Sequence, residues 1–358
     1  MAIHNSANSN AGDSLLVSKT KRVFEARFGP IRWIDIPVWD SFDQEYVRLV
    51  NENCDMVVVG GGGLFLRDQA GAEASISGWQ WNIAPEVIQQ ITPPLVVFAV
   101  GYNRFRGQQD FDPHFSDSVQ ALVTRGAFSG IRNSGSIAAL GAYLTSGQAE
   151  KLRLQPCPTL LARWLDAPAI AAQRAKESSR SVFLNAAYDR SQMRLGDRSS
   201  ELDQAYVNVA LWAQREGRDV VVVAHKSDDL QICGPLSTHG VNYSSIDLTG
   251  SDETTIQQTY LGADLVVGMR GHAQMIPFGL GVPILSVVTH DKMRWFLNDW
   301  GEPEWGVDIS EGSFTEILLT RARELTADAD HIRAAIEHRL EVIKLLTETN
   351  LDAIECHI

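Results

Sequence analysis

Arg270, Gly271 and His272, an arginine and a histidine separated by one glycine, carry the strongest chemical signal in the sequence. The largely apolar segment that directly precedes them, residues 262–269, predicts a buried strand that ends just before Arg270. Arginine offers phosphate or carboxylate a permanent planar fork, whereas histidine can transfer protons near neutral pH. A single histidine is often only structural, but this location favours an anion site in which Arg270 and Gly271 bind and His272 is catalytic.

Four consecutive glycines, residues 60–63, follow an apolar run at 56–59 and form a second candidate site. Glycine lets a backbone approach a ligand closely and point its amides at an anion. A tight turn between a strand and a helix would explain the run equally well, and the spacing does not match the GxGxxG pattern of dinucleotide sites. The candidate ligand contacts in this run are Gly61, Gly62 and Gly63.

Two further segments place polar side chains at predicted helix starts. Asp13 opens a predicted helix with no convincing strand before it, so its carboxylate either caps the helix or contacts a ligand hydroxyl. Arg132 and Ser134 follow a short strand that ends at Ile131, beside a helix start that suits a carboxylate or phosphate. A solvated surface arginine is the plain alternative for Arg132.

Weaker signals stand at other predicted strand ends and in one loop. Lys292 follows a predicted strand and would add positive charge, as would His225 and Lys226 after another strand. Each of these could equally be a solvated loop residue. Trp79 and Trp81 could stack on a sugar ring, although core packing explains them at least as well.

The composition limits the classes of function. With 44 acidic against 31 basic residues, the net charge of −13 argues against nonspecific binding to nucleic acid. Four scattered cysteines without CxxC spacing predict neither a zinc site nor a disulfide framework. The longest apolar stretch, residues 275–288, is broken by proline and glycine, and the first residues do not resemble a secretory signal. We expect a cytoplasmic protein.

Apolar runs alternate with helical periodicities along the chain, which is typical of stacked βα units. Buried parallel strands are predicted at 56–59, 95–100, 181–184, 220–224, 265–267 and 284–288. Residues 166–180 are rich in alanine, serine and charge, so we predict a domain boundary there. The expected fold class is α/β, with two Rossmann-like domains facing across a cleft and a C-terminal amphipathic helix, residues 326–358, packing back. Residues 1–168 are expected to form the acceptor side of the cleft and residues 180–325 the donor side.

Taken in order along the chain, these motifs resemble those of the polysaccharide pyruvyl transferase family. The resemblance rests on residues 10–13 (NAGD), 60–63 (GGGG), 131–134 (IRNS), 263–272 (ADLVVGMRGH), 281–283 (GVP) and Lys292. It implies a GT-B-like fold and transfer of a pyruvyl group from phosphoenolpyruvate to two hydroxyls of one sugar, which gives a cyclic ketal. The chain departs from the family at Gly271, where leucine is usual, and at Cys157, where aspartate is common.

The resemblance also implies roles for the candidate residues. Arg270 and Arg132 would bind the phosphate and carboxylate of phosphoenolpyruvate, and His272 would protonate its methylene carbon. Asp13 and Asp68 are the candidate bases for the sugar hydroxyl. Replacement of Arg270 by alanine is expected mainly to weaken donor binding. The other candidate substrate contacts are Gly61, Gly62, Gly63, Gly271, Lys292 and Ser134.

The implied reaction needs no metal and no cofactor, because phosphoenolpyruvate is itself a co-substrate. The acceptor is expected to be a saccharide of a polysaccharide or its precursor, free or lipid-linked, with the protein cytoplasmic or peripheral to the inner face of the membrane. Two alternatives stay open. A GT-B glycosyltransferase would bind a nucleotide sugar through a ribose contact at Asp228, Asp229 or Asp247. A non-catalytic sugar-binding relative would keep the fold without turnover.

Overall fold

The computed structural model describes residues 1–5, 10–67, 75–166, 170 and 180–358. The predicted base Asp68 lies outside these residues, and so does most of the predicted domain boundary, which stays a prediction. The described chain forms two six-stranded sheets in which neighbouring strands are parallel. The prediction of an α/β fold with two Rossmann-like halves is confirmed.

The first sheet is built from the first half of the chain. Its strands are β1 Ala2–Asn5, β2 Ile34–Pro37, β3 Val57–Phe65, β4 Leu95–Tyr102, β5 Phe128–Ile131 and β6 Leu152–Leu154. Their order in the sheet is β2-β1-β3-β4-β5-β6. Strand β1 corrects the expectation that no strand precedes Asp13, because it pairs with both the edge strand β2 and the inner strand β3.

The second sheet is built from the second half. Its strands are β7 Ser181–Asn185, β8 Asp219–Ala224, β9 Ser244–Asp247, β10 Leu265–Gly268, β11 Ile284–Val288 and β12 Gly306–Asp308. Their order is β12-β11-β10-β7-β8-β9. The strand order reverses direction between β1 and β3 in the first sheet and between β7 and β10 in the second. In open parallel sheets, ligands bind outside the carboxyl ends of strands at such points.

Helices cover the strands, which are buried on both faces: Val57 and Val59 of β3 pack in one apolar cluster and Val58 in another. The helices are α1 Ala11–Phe28, α2 Gln44–Asn53, α3 Pro85–Ile88, α4 Pro113–Arg125, α5 Ser134–Gly141, α6 Ser146–Ala149, α7 Ala162–Leu165, α8 Ser191–Leu195, α9 Ser199–Arg215, α10 Cys233–Thr238, α11 Glu253–Leu261, α12 His272–Gly279, α13 Asp291–Asp299, α14 Phe314–Ala327 and α15 Ala329–Glu355. Among the described residues, no helix has both the length and the apolar character needed to cross a membrane.

The glycine run lies inside β3, which corrects the expectation of a turn into a helix. Gly61 and Gly62 have φ angles of 54° and 89°, in the region that glycine adopts without strain. The pairing of β3 with β4 shifts register between Gly62 and Phe65, and β4 carries a second irregularity at Ala99, with φ 59°. Because bulges bend a strand and re-aim its side chains, both strands leave regular geometry near the cleft.

The predicted C-terminal amphipathic helix is confirmed as α15. Its buried stripe includes Ile332, Ile336, Leu340 and Ile343. Asn350 Nδ2 donates to the carbonyl oxygen of Leu154, at the end of the first sheet, over 2.8 Å. Arg339 Nε donates to the carbonyl oxygen of Trp300, which follows a helix of the second half, over 2.7 Å. The helix therefore packs back on both halves and ties them together.

A buried ion cluster also joins the two halves. Lys19 of α1 has a fully buried side chain and pairs with Asp166 and with Glu253 of α11. Gln257 Nε2 donates a further hydrogen bond to Asp166 over 2.9 Å. Arg22 also pairs with Asp166 and Glu253, but its side chain is 40% exposed, so removing Lys19 leaves part of the buried negative charge uncompensated, which is destabilising.

Replacement of Lys19 by methionine is expected to lower the free energy of unfolding by about 3 kcal/mol, because two acidic side chains lose their buried cation. Lys21→Met is the matched control on the same helix. The Lys21–Asp35 pair is 2.7 Å apart, but Asp35 is 52% exposed, so its loss should cost less than about 1 kcal/mol. Urea denaturation followed by tryptophan fluorescence gives both values. Equal effects of the two variants would show that the cluster does not stabilise the fold.

Candidate active site

A cavity of about 360 Å³ opens between the carboxyl ends of the two sheets. The first half of the chain contributes Asn10, Asp13, Gly63, Leu64, Leu66, Gln80, Asn103, Phe105 and Arg132. The second half contributes Asp189, Arg190, Arg194, His225, Lys226, Arg270, Gly271, His272 and Lys292. The two walls differ in chemistry, because most of the cationic side chains come from the second half and most of the neutral ones from the first.

Arg270 lies in the wall of the cavity, but two carboxylates already engage its guanidinium. Its Nε and Nη2 donate to the two oxygens of Asp229 over 2.7 and 2.5 Å, and Asp189 Oδ1 lies 2.6 Å from Nη2. Burial would lower the pKa of Arg270, but hydrogen bonds and charge from Asp229 and then Asp189 raise it. With its charge balanced, Arg270 is a weaker candidate for holding an anion than the sequence suggested.

Arg132 has the opposite environment. The residue is 6% exposed, and its Nε and Nη2 have no hydrogen-bond partner among the described residues. Burial lowers its pKa below the usual value for arginine. A methyl group on Gly101 would lie 2.6 Å from Nη2, so glycine at this position gives the guanidinium its space. Because an isolated buried charge is costly, this guanidinium is suited to an anionic ligand.

Lys292 adds a second basic group to the cavity that contains Arg132. Burial, followed by the positive charges of Arg132 and Arg194, holds the pKa of Lys292 well below its usual value. Within the described part of the chain, the one contact within 4 Å that a Cβ atom on Gly271 would make is with Lys292 Cε, at 3.8 Å, so the glycine leaves the face of the cavity near the lysine open. An anion bound between Lys292 and Arg132 would stabilise the charged form of both.

His272 begins α12 of the second half and packs against the first turn of α1 of the first half. A methyl group on Gly12 would overlap its imidazole; Asp13 Oδ1 lies 3.7 Å from Nδ1, and Cys157 Sγ lies 3.9 Å from Nε2. Burial, followed by the positive charge of Arg132, holds the pKa of His272 well below its usual value. The imidazole is therefore neutral at pH 7 in the free protein, even with the Asp13 carboxylate nearby.

Cys157 is a contact of the imidazole that the sequence interpretation missed. Its sulfur lies 3.2 Å from Thr159 Oγ1, and burial raises the pKa of the thiol, so a neutral group faces Nε2 of His272. The signal that could have found it was the departure from the family's aspartate at this position. A carboxylate there would have met both the imidazole and the charge of Arg132.

Three predicted substrate contacts, Gly61, Gly62 and Ser134, are not among the described residues that line the cavity, and their role in binding stays a prediction. Ser134 is exposed, and its backbone N–H donates to Asp299 Oδ2 over 3.0 Å, so it joins the two halves instead. Gly61 and Gly62 lie within β3, where a Cβ atom on Gly61 would come within 2.8 Å of the Leu16 side chain. These two glycines therefore serve close packing, and Gly63 alone of the run reaches the cavity wall.

The cavity also contains polar residues that the sequence interpretation did not select. Trp79 and Trp81 are fully buried and pack in the core. Gln80, which lies between them in the sequence, lines the cavity. Asn103 and Asp189 line it as well. The first directly follows β4 and the second comes shortly after β7, so a systematic search of strand ends would have found them.

The sequence matches one known protein family over most of its length. The family described as polysaccharide pyruvyl transferase matches residues 10–291, which covers most of the chain. The chain belongs to the polysaccharide pyruvyl transferase family. No curated protein matches its sequence. All the residues that line the cavity except Lys292 lie within the matched range.

The solved structures that resemble this chain include a UDP-GlcNAc 2-epimerase and a glycosyltransferase. The UDP-GlcNAc 2-epimerase of Neisseria meningitidis, bound to UDP-GlcNAc, is 10% identical, with 99% of each chain covered and a TM-score of 0.58. A glycosyltransferase from Rickettsia africae is 11% identical, with 99% of this chain and 97% of that chain covered and a TM-score of 0.57. Likeness at this identity shows the fold alone and confirms the GT-B-like architecture.

Proposed function

We propose that this pyruvyl transferase takes its pyruvyl group from phosphoenolpyruvate and places it on two hydroxyls of one sugar as a cyclic ketal. The observation that carries the proposal is the buried Arg132 guanidinium, which has no partner among the described residues and lies beside Lys292 and His272. A donor with a phosphate and a carboxylate supplies the negative charge that these groups lack.

Donor binding in this proposal falls to Arg132 and Lys292 rather than to Arg270. Asp229 and Asp189 already balance the charge of Arg270, so this arginine positions the loop that carries His272. Its backbone N–H also donates to Asn185 Oδ1 over 3.2 Å, at the end of β7. The arginine thereby fixes the turn from β10 into α12 against the neighbouring strand.

Proton transfer to the donor is assigned to His272. When the negative charges of phosphoenolpyruvate lie beside Arg132 and Lys292, they offset the cations that depress the pKa of the imidazole. The charged imidazole gives its proton to the methylene carbon, which becomes a methyl group, and the first sugar hydroxyl forms a bond to C2. The C2–O bond to phosphate then breaks, phosphate leaves, and the second hydroxyl closes the ring.

Asp13 is the base that fits this sequence of steps. Each of the two sugar hydroxyls loses a proton. One of these protons restores the proton that His272 gave to the donor carbon, and the other leaves with phosphate. Asp13 Oδ1 lies 3.7 Å from His272 Nδ1, so a small shift lets the carboxylate pass a hydroxyl proton to the imidazole. The other candidate base, Asp68, lies outside the described residues.

Gly12→Ala is expected to lower kcat by about 100-fold or more without unfolding the protein, because a methyl group would displace the imidazole from α1. Gly141→Ala is the matched control, since a Cβ atom at this helical glycine meets nothing within 4 Å. Both variants should melt cooperatively in a thermal scan. Full activity of Gly12→Ala would show that the position of His272 on α1 does not matter for transfer.

The proposed function is tested by incubating the protein with phosphoenolpyruvate and a panel of neutral and acidic saccharides, free and lipid-linked. We expect release of inorganic phosphate that depends on the saccharide, together with a new methyl resonance of the ketal. Binding is measured separately by calorimetry with phosphoenolpyruvate alone. Binding of UDP-sugars without binding of phosphoenolpyruvate would overturn the proposal and support a glycosyltransferase. Binding of phosphoenolpyruvate and the saccharide without phosphate release would support a non-catalytic relative.

A further inference from the structure

The wall contributed by the first half of the chain contains an amide without a partner. Asn103 follows β4, lines the cavity and is 8% exposed. Its Oδ1 is buried and makes no hydrogen bond within the part of the chain that the structure describes. Buried side-chain polar atoms are nearly always hydrogen-bonded, and the exceptions in native proteins often mark functional positions.

The backbone of β3 and β4 makes room for this amide. The backbone N–H of Asn103 donates to the carbonyl oxygen of Phe65 over 2.8 Å, which fixes the residue beside the end of β3. A Cβ atom on Gly63 would lie 3.1 Å from Asn103 Nδ2. The absence of a side chain at Gly63 therefore makes room for the Asn103 amide. Gly63, the last glycine of the run, thus helps to shape the cavity.

The chemistry of the unpartnered oxygen selects between the two substrates of the proposed reaction. Oδ1 of an asparagine accepts hydrogen bonds and cannot donate them. Phosphoenolpyruvate with its phosphate and carboxylate ionised offers only acceptor oxygens, so it cannot satisfy Oδ1. A sugar hydroxyl is both donor and acceptor, and neighbouring hydroxyls match the paired carbonyl and NH₂ of an amide.

We propose that Asn103, with the neighbouring Gly63 and with Gln80 in the same wall of the cavity, forms the subsite that binds the hydroxyls of an uncharged acceptor sugar. This inference rests on the proposed function and adds the location and chemical class of its acceptor. Arg132 directly follows β5, which pairs with β4, the strand that Asn103 follows, and both residues line the cavity, so a hydroxyl on the amide would lie near a donor held by the guanidinium. The neighbouring Leu64 and Leu66 offer apolar contact for the ring carbons.

The test uses Asn103→Leu, which removes both polar atoms and keeps the volume. Because an amide with an unsatisfied buried oxygen is lost, we expect the melting temperature to stay unchanged or to rise, unlike the fall expected for a structural asparagine. The probes are methyl glycosides of neutral hexoses and the corresponding methyl uronosides, with binding followed by saturation-transfer NMR. Asn53→Leu, at an exposed helical position, is the control.

The expected result is that neutral glycosides bind the native protein and the Asn53→Leu control, and bind Asn103→Leu at least tenfold more weakly. Affinity for phosphoenolpyruvate, measured by calorimetry, should change less than twofold in Asn103→Leu. Loss of phosphoenolpyruvate binding instead of glycoside binding would overturn the subsite, and so would uronosides binding better than neutral glycosides or the absence of any glycoside binding. Because these readouts need no turnover, failure of the subsite is distinguishable from failure of the proposed reaction.

Discussion

Arg132→Met is expected to bind phosphoenolpyruvate about 100-fold more weakly or worse, because two hydrogen bonds from a charged donor are lost. The same variant is expected to unfold less readily than the native protein, with a gain of about 1–3 kcal/mol in the free energy of unfolding. The gain follows from the removal of a buried charge whose Nε and Nη2 have no partner among the described residues. Calorimetric titration and urea denaturation measure the two effects.

Arg270→Met is the matched comparison, and its stability should change in the opposite direction. Methionine at this position leaves Asp229 buried without the cation that it contacts over 2.5 and 2.7 Å, at a cost of about 3–5 kcal/mol. This replaces the expectation from sequence that loss of Arg270 mainly weakens donor binding. If both variants lost stability equally, the contrast between a compensated and an uncompensated arginine would be wrong.

His272→Asn is expected to lower kcat by about a thousandfold while phosphoenolpyruvate still binds, because the variant keeps a neutral polar side chain but has no transferable proton. Single-turnover release of phosphate, at donor concentrations well above the dissociation constant, measures this step alone. Turnover within tenfold of the native rate would remove His272 from the role of proton donor. Gly141→Ala serves again as the control for handling and folding.

Proton uptake on donor binding gives the same assignment an independent readout. In the free protein, burial and then Arg132 hold the pKa of His272 well below its usual value, so the imidazole is neutral at pH 7. A bound anion raises that pKa, and between the two values binding takes up a proton. Donor affinity should therefore strengthen as pH falls through this window, and His272→Asn should take up fewer protons. Calorimetry in buffers of different ionisation enthalpy counts the protons.

The amino-acid sequence predicted the inner strands of both sheets but not the strands at their edges. The four edge strands, β2, β6, β9 and β12, were not predicted, because a strand with a neighbour on one side alone is less buried and has no continuous apolar run. Among the inner strands, β1 was not predicted although it has a neighbour on both sides, because its four residues include histidine and asparagine. Apolar patterning reports burial, so it finds the core of a sheet before its borders.

The sequence by itself determined the family, the α/β class and the positions at which chemistry could occur. Arg270, His272, Arg132, Asp13 and Lys292 were all chosen because they lie at predicted strand ends or helix starts, and all five line one cavity. Local patterning can do this because the carboxyl ends of parallel strands meet at one edge of each sheet. It cannot determine which charges are balanced, because the balancing groups are distant in the chain.

Only the tertiary structure showed which arginine is charge-balanced and which groups contact His272. Asp229 and Asp189 approach Arg270 from the ends of other strands and neutralise it, whereas Arg132 is left buried and unpartnered among the described residues. The imidazole of His272 meets Cys157 from the other half of the chain. These contacts depend on the order of the strands and on how the two halves pack together. Neither feature can be predicted from a local pattern of residues.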